Sequence, residues 1–101
     1  MRSVSVHELK SALADGEPVV VDVREPDEFA QGHVPGARLV PLQTVPGLVG
    51  QLPTDEPVYV VCAVVARSAQ AAMFLAQHGV DAVNVDGGTR DWLMAGYPVE
   101  A

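Results

Sequence analysis

The chain has 101 residues, 49% of them hydrophobic, which is enough for one core and too little for two. Six basic against thirteen acidic residues give a net charge of -7, which disfavours nucleic acid and anionic membrane surfaces as partners. A single cysteine excludes an internal disulfide, and no apolar run approaches the roughly 18 residues of a membrane span.

Taken in chain order, Ser5 followed by Glu8 is a capping-box pattern, with Val4 and Leu9 placed to staple the entry of a helix. Val6, Leu9 and Leu13 mark the apolar face of that first helix, and Gly16 ends it. The stretch from Met1 to Pro18 lacks the long apolar core of a signal peptide, so a cytoplasmic location is expected. Pro18 to Arg24, PVVVDVR, is a continuous β-branched run of the kind found in strands buried on both faces. Glu25 and Pro26 open a helix of one or two turns, closed by Gly32.

A second strand is expected within Ala37 to Leu42, kept short or at an edge by Pro41. The Pro, Gly and Asp content from Thr44 to Pro57 predicts a broken helix and turns. Val58 to Cys62 is a third strand. Arg67 to His78 is a helix with apolar residues on most faces, Ala69, Ala72, Met73 and Ala76 on one side and Ala71, Phe74 and Leu75 on another, so deep packing is expected. Gly79 ends it. DAVNVDGG, Asp81 to Gly88, supplies a last strand, and TRDWLMAG a closing helix with Thr89 as its N-cap. Strands alternating with helices predict an α/β fold with a largely parallel sheet, built as one domain over residues 1–101.

Cys62 falls at the carboxyl end of a strand and ahead of a helix, where open α/β sheets place their ligands. A helix N-terminus presents unpaired N–H groups and the positive end of its dipole, an arrangement that favours an anion. Thiolate is the reactive form of cysteine, and helix N-termini and nearby Arg residues favour it. Arg67 either supplies that charge or closes the loop structurally, and Ser68 either caps the helix or donates to whatever is bound. Free cysteine is also among the most buried residue types and serves as a small apolar filler. From the local pattern, both readings of Cys62 stand.

Four segments together resemble the rhodanese family. DVREPDEFAQGHVPGA, Asp22 to Ala37, is similar to a long signature of that family; CAVVARS, Cys62 to Ser68, is similar to its active-site loop. GGTRDW, Gly87 to Trp92, matches its GGxxxW element, and AGYPV, Ala95 to Val99, a common ending. The matches come in family order over most of the chain, and it is the set that is specific. The resemblance implies a rhodanese-like domain, a central, mostly parallel β-sheet with helices on both faces.

It also implies a sulfurtransferase in which Cys62 is the nucleophile. The Cys62 thiolate would take a sulfane sulfur from a small donor such as thiosulfate and pass it from a persulfide to cyanide, a thiol or a protein acceptor. By the same resemblance, the backbone amides of Ala63, Val64, Val65, Ala66, Arg67 and Ser68 would ring the bound sulfur, with no metal or organic cofactor. Cysteine phosphatases have a loop one residue longer between Cys and Arg, so phosphate hydrolysis is disfavoured here.

The loop departs from the family pattern where glycine is usual three positions after the cysteine; here that position is Val65. A β-branched residue is poorly tolerated at positive φ, so either the loop takes another shape or strain persists. The apolar loop and the charge of -7 predict weak attraction for dianionic thiosulfate. A rhodanese-like binding or regulatory module with little turnover is the alternative reading.

Asp22, Arg24 and Glu28 are expected to form a structural polar network rather than an acid-base set, in keeping with the pairing of buried charges. His33 is expected as a hydrogen-bonded turn residue. His7 and His78 lie apart from it, and three scattered histidines with one cysteine give no metal-ligand spacing. Trp92 is expected to fill the core under the double glycine, and Gly36, Gly87 and Gly88 to serve turns.

Overall fold

Two four-residue β-branched runs form the middle of the sheet in this computed structural model, which describes residues 1–101. They are β2 (Val19–Asp22) and β4 (Val58–Val61), paired in parallel from Val19 against Val58 to Asp22 against Val61. β5 (Ala82–Val85) flanks β4, β1 (Arg2–Val4) flanks β5, and β3 (Arg38–Leu39) flanks β2. The order is therefore β1-β5-β4-β2-β3, and every pairing is parallel. β3 is short and at an edge, as Pro41 requires. β1 has no counterpart among the expected elements: it is a three-residue, largely exposed edge strand, too short to show a period of two.

Side chains alternate across the sheet, and each face has its own core. Val20, Val61 and Val85 pack with Val6, Leu9 and Trp92 from α1 (Val6–Asp15) and α5 (Gly88–Met94). Val21, Val58 and Val60 face the other way, against Ala71, Ala72 and Leu75 of α4 (Ala66–Gln77) and Val45 of α3 (Val45–Leu48). α2 (Pro26–Ala30) lies between β2 and β3 in the chain, and short 3-10 turns flank α3. Leu9, Leu75 and Trp92 are fully buried, so truncating any of them to Ala should cost about 2–5 kcal/mol. No helix is long and apolar enough to cross a membrane.

The α1 capping box forms as expected: Ser5 Oγ accepts from the Glu8 amide and Glu8 Oε1 from the Ser5 amide, each at 3.2 Å. Val4 packs against the cluster that holds Leu9, closing the staple. Two expectations fail. α4 buries Ala71, Ala72 and Leu75 but leaves Met73 54% exposed, because only one stripe of a helix can meet a sheet. Thr89 is not the N-cap of α5; Gly87 is, at φ 82, and the helix starts one residue before Thr89.

Candidate active site

Cys62 follows the last residue of β4 and shares the α4 face with Val58 and Val60, leaving it 1% exposed. Three residues, Ala63 to Val65, join it to α4. Val65 has φ -156 and ψ -30, and no residue other than glycine has a positive φ. The loop has thus taken a shape that a valine can adopt without the left-handed conformation glycine would allow. α4 begins at Ala66 with Val65 as a cap lacking a side-chain acceptor, so Ser68 sits inside the first turn and is not the cap.

The amides of Ala63, Val64, Val65, Ala66, Arg67 and Ser68 donate to no acceptor within the protein. The first turn of any helix leaves such donors free; here Ala63 and Val64 extend the run back to the cysteine, an arrangement that favours an anion. Their directions are fixed from behind. The Cys62 carbonyl accepts from the Thr89 amide at 2.9 Å and from Thr89 Oγ1 at 3.2 Å, and the Ala63 carbonyl from the Arg90 amide at 3.0 Å. In a trans peptide the C=O and the following N–H point oppositely. Pinning these two carbonyls toward α5 therefore turns the amides of Ala63 and Val64 away from it.

Gly88 makes that approach possible. A Cβ there would lie 2.8 Å from the carbonyl carbon and oxygen of Ala63 and closer still to the Cys62 oxygen, and its φ of 54 favours glycine as well. Gly88 and Thr89 were expected to serve a turn and a cap. Their close approach to a loop 26 and 27 residues earlier has no local signature.

Cys62 Sγ lies 3.3 Å from Ser68 Oγ. Ser68 Oγ is in turn 2.7 Å from Asn84 Oδ1 and 3.1 Å from the Val65 carbonyl oxygen. Ser68 and Asn84 are both buried. Asn84 lay unremarked within the run read as the last strand.

Arg67 does not stand free beside the loop. Its guanidinium forms a two-pronged pair with Glu28 of α2, at 2.7 and 2.9 Å. That hydrogen bond, with one from the Glu25 amide, lowers the Glu28 carboxyl to about 2, and the same pair holds Arg67 above its already high value. Asp22 and Arg24 make a separate buried pair at 2.9 Å, and Arg24 also donates to the Gly32 carbonyl at 2.9 Å.

His33 is placed in the turn: its Nδ1 donates to the Phe29 carbonyl at 2.9 Å and its ring stacks on Phe29. His7 lies against the Tyr97 hydroxyl, and His78 against the Phe74 carbonyl. Trp92 is wholly buried, its indole donating to the Pro98 carbonyl at 2.8 Å. A cleft of about 750 Å³ is lined in part by Val64 and Val65 but not by Cys62. Glu8, Asp86 and Asp91 contribute carboxylates to its lining against one guanidinium, Arg90, which is paired with Asp91.

Comparison with known proteins is consistent along the chain. The model of the rhodanese-like domain family matches residues 5–95. A protein named sulfurtransferase from Allochromatium vinosum is 37% identical over 103 residues, taking in all of this chain and 96% of that one. The crystal structure of a rhodanese-like domain protein from Staphylococcus aureus superposes with a TM-score of 0.88 at 39% identity, with both chains fully covered. A rhodanese-related protein from Thermoplasma volcanium gives 0.91 at 34% identity, covering 99% of this chain and 98% of that one.

Proposed function

The chain belongs to the rhodanese-like domain family, a family of sulfurtransferases, and from that premise we propose that Cys62 carries sulfur as a persulfide. The Cys62 thiolate attacks the sulfane sulfur of a donor such as thiosulfate. The donor's S–S bond breaks, sulfite leaves with the electron pair, and a new S–S bond joins the sulfur to Cys62. Cyanide or a thiolate then attacks the outer sulfur, and the Cys62 thiolate is regenerated. Protons are exchanged only with solvent, and no cofactor enters.

The observation that carries this reading is the run of six undonated amides beginning immediately after the nucleophile. Such donors can spread around a persulfide anion and strengthen as charge develops. Arg67, held by Glu28, contributes its charge from a fixed position, and Ser68 Oγ, which accepts from the Cys62 thiol at 3.3 Å, can donate to sulfur once that proton is lost. A binding or regulatory module is the second reading, favoured by the near-complete burial of Cys62.

The apolar loop, the net charge of -7 and the paired state of Arg67 all weaken attraction for a dianion. Thiocyanate formation from thiosulfate and cyanide should therefore saturate only at a KM at or above the upper end of the usual range, roughly 1 mM. A KM in the low micromolar range would contradict this. A less charged persulfide donor is expected to be used with a lower KM.

A further inference from the structure

Asn84 is the one polar side chain of β5, and its amide is 2% exposed among Ala82, Val83 and Val85. An amide in such surroundings is costly unless every group on it is bonded. Its Oδ1 accepts from Ser68 Oγ at 2.7 Å, and its Nδ2 reaches Ser3 Oγ at 3.5 Å. Ser68 Oγ in turn lies 3.3 Å from Cys62 Sγ. A continuous file of polar atoms thus runs from the β1 edge through the sheet to the nucleophile.

Ser68 has one hydroxyl proton and three acceptors within reach: sulfur, the Val65 carbonyl and Asn84 Oδ1. While Cys62 is a thiol, its S–H donates to Ser68 Oγ, and the hydroxyl proton goes to Asn84 or Val65. A thiolate can only accept, so the Ser68 proton must turn toward sulfur. An amide turned over about its last bond offers Nδ2 to Ser68 Oγ and Oδ1 to Ser3, whose hydroxyl can donate or accept. Both orientations leave each partner satisfied. Neither an apolar nor an acceptor-only side chain allows both.

We propose that Asn84 is a positioning residue that sets the direction of the Ser68 hydroxyl proton and so stabilises the anionic form of Cys62. The proposal rests on Cys62 being the nucleophile, but its test needs no sulfur transfer and can fail independently of that reading. Titratable and charged groups around the loop are Arg67 on α4, Glu28 on α2, His7 and Glu8 on α1, Asp22 at the end of β2 and Arg24 just after it, Asp86 after β5, and Arg90 and Asp91 on α5. None is altered in the variants.

Because Cys62 is the only cysteine, its ionisation can be read from thiolate ultraviolet absorbance against pH, with Cys62→Ser as the blank. Ser68→Ala should raise the midpoint by about one unit, the size of a lost hydrogen bond to a charged group. Asn84→Leu should raise it by roughly half as much, since no amide then donates to Ser68 Oγ while its own proton is turned to sulfur. The double variant should match Ser68→Ala alone. Asn84→Val, which suits a strand and removes the same amide, replaces Asn84→Leu if that variant does not fold. An unmoved midpoint in the folded Asn84 variant, or additive shifts in the double variant, would overturn the proposal.

Discussion

β2 and β4 are neighbours, with Asp22 opposite Val61, and the loops leaving their carboxyl ends use hydrogen bonds in opposite ways. After β2, the Asp22 carboxylate accepts from the amide, Nε and one terminal nitrogen of Arg24, which also donates to the Gly32 carbonyl. That charged loop is internally closed. After β4, an apolar loop and the first turn of α4 leave six successive amides without a protein acceptor. The segment richest in charge is therefore the structural one, and the segment of alanines and valines is the one whose backbone can hold a ligand. Side-chain chemistry alone ranks the two the other way round.

Substitutions sharpen this contrast by separating stability from chemistry. Arg24→Met should have the largest effect on stability, about 3–5 kcal/mol in denaturant unfolding, because it strands the fully buried Asp22 carboxylate. Its remaining folded fraction should transfer sulfur with an unchanged kcat. A kcat that falls with stability intact would move Arg24 into the chemistry.

Gly88→Ala comes next, with a loss of about 1–3 kcal/mol from the left-handed backbone and the contact with Cys62 and Ala63. Displacing the loop by even an ångström should lower sulfur transfer on the order of 100-fold, so here, unlike at Arg24, kcat falls along with stability. Transfer at the wild-type rate would show that the pinned carbonyls do not set the amide directions.

Glu28→Gln should have the smallest effect, about 1 kcal/mol, since the Glu28–Arg67 pair is roughly one-third exposed and screened. The Glu28 carboxyl is depressed from 4.5 to about 2 in the fold, so its contribution is fully present above pH 4.5 and is lost as pH falls through about 2. The stability gap between wild type and Glu28→Gln should close over that window. A gap that persists unchanged at pH 2 would assign it to packing instead.

What could be read from the sequence follows the range of the interactions involved. The α1 capping box, the β-branched runs of β2 and β4 and the chain order of strands and helices are local patterns, and they formed as expected. β1 was missed because three edge residues carry no periodicity. Thr89 read as a cap because a hydroxyl before a helix usually is one, whereas Gly87 in the left-handed region starts the helix earlier and sends the Thr89 hydroxyl to Cys62. Of the two outcomes left open at Val65, a different loop shape or strain, the backbone takes the first, and only the folded loop could decide between them. The Arg67–Glu28 pair and the Ser68–Asn84 contact join residues 39 and 16 positions apart, and no spacing rule reaches that far.

The most direct measurement is the intact mass of reduced, folded protein after incubation with thiosulfate, and separately with a persulfide donor, each followed by cyanide. Persulfide chemistry at Cys62 requires a gain of one sulfur with at least one donor, removed by cyanide and absent from Cys62→Ser. No gain from either donor would contradict it and leave the loop amides as part of a binding module. A sulfur retained by Cys62→Ser would place the chemistry elsewhere in the molecule.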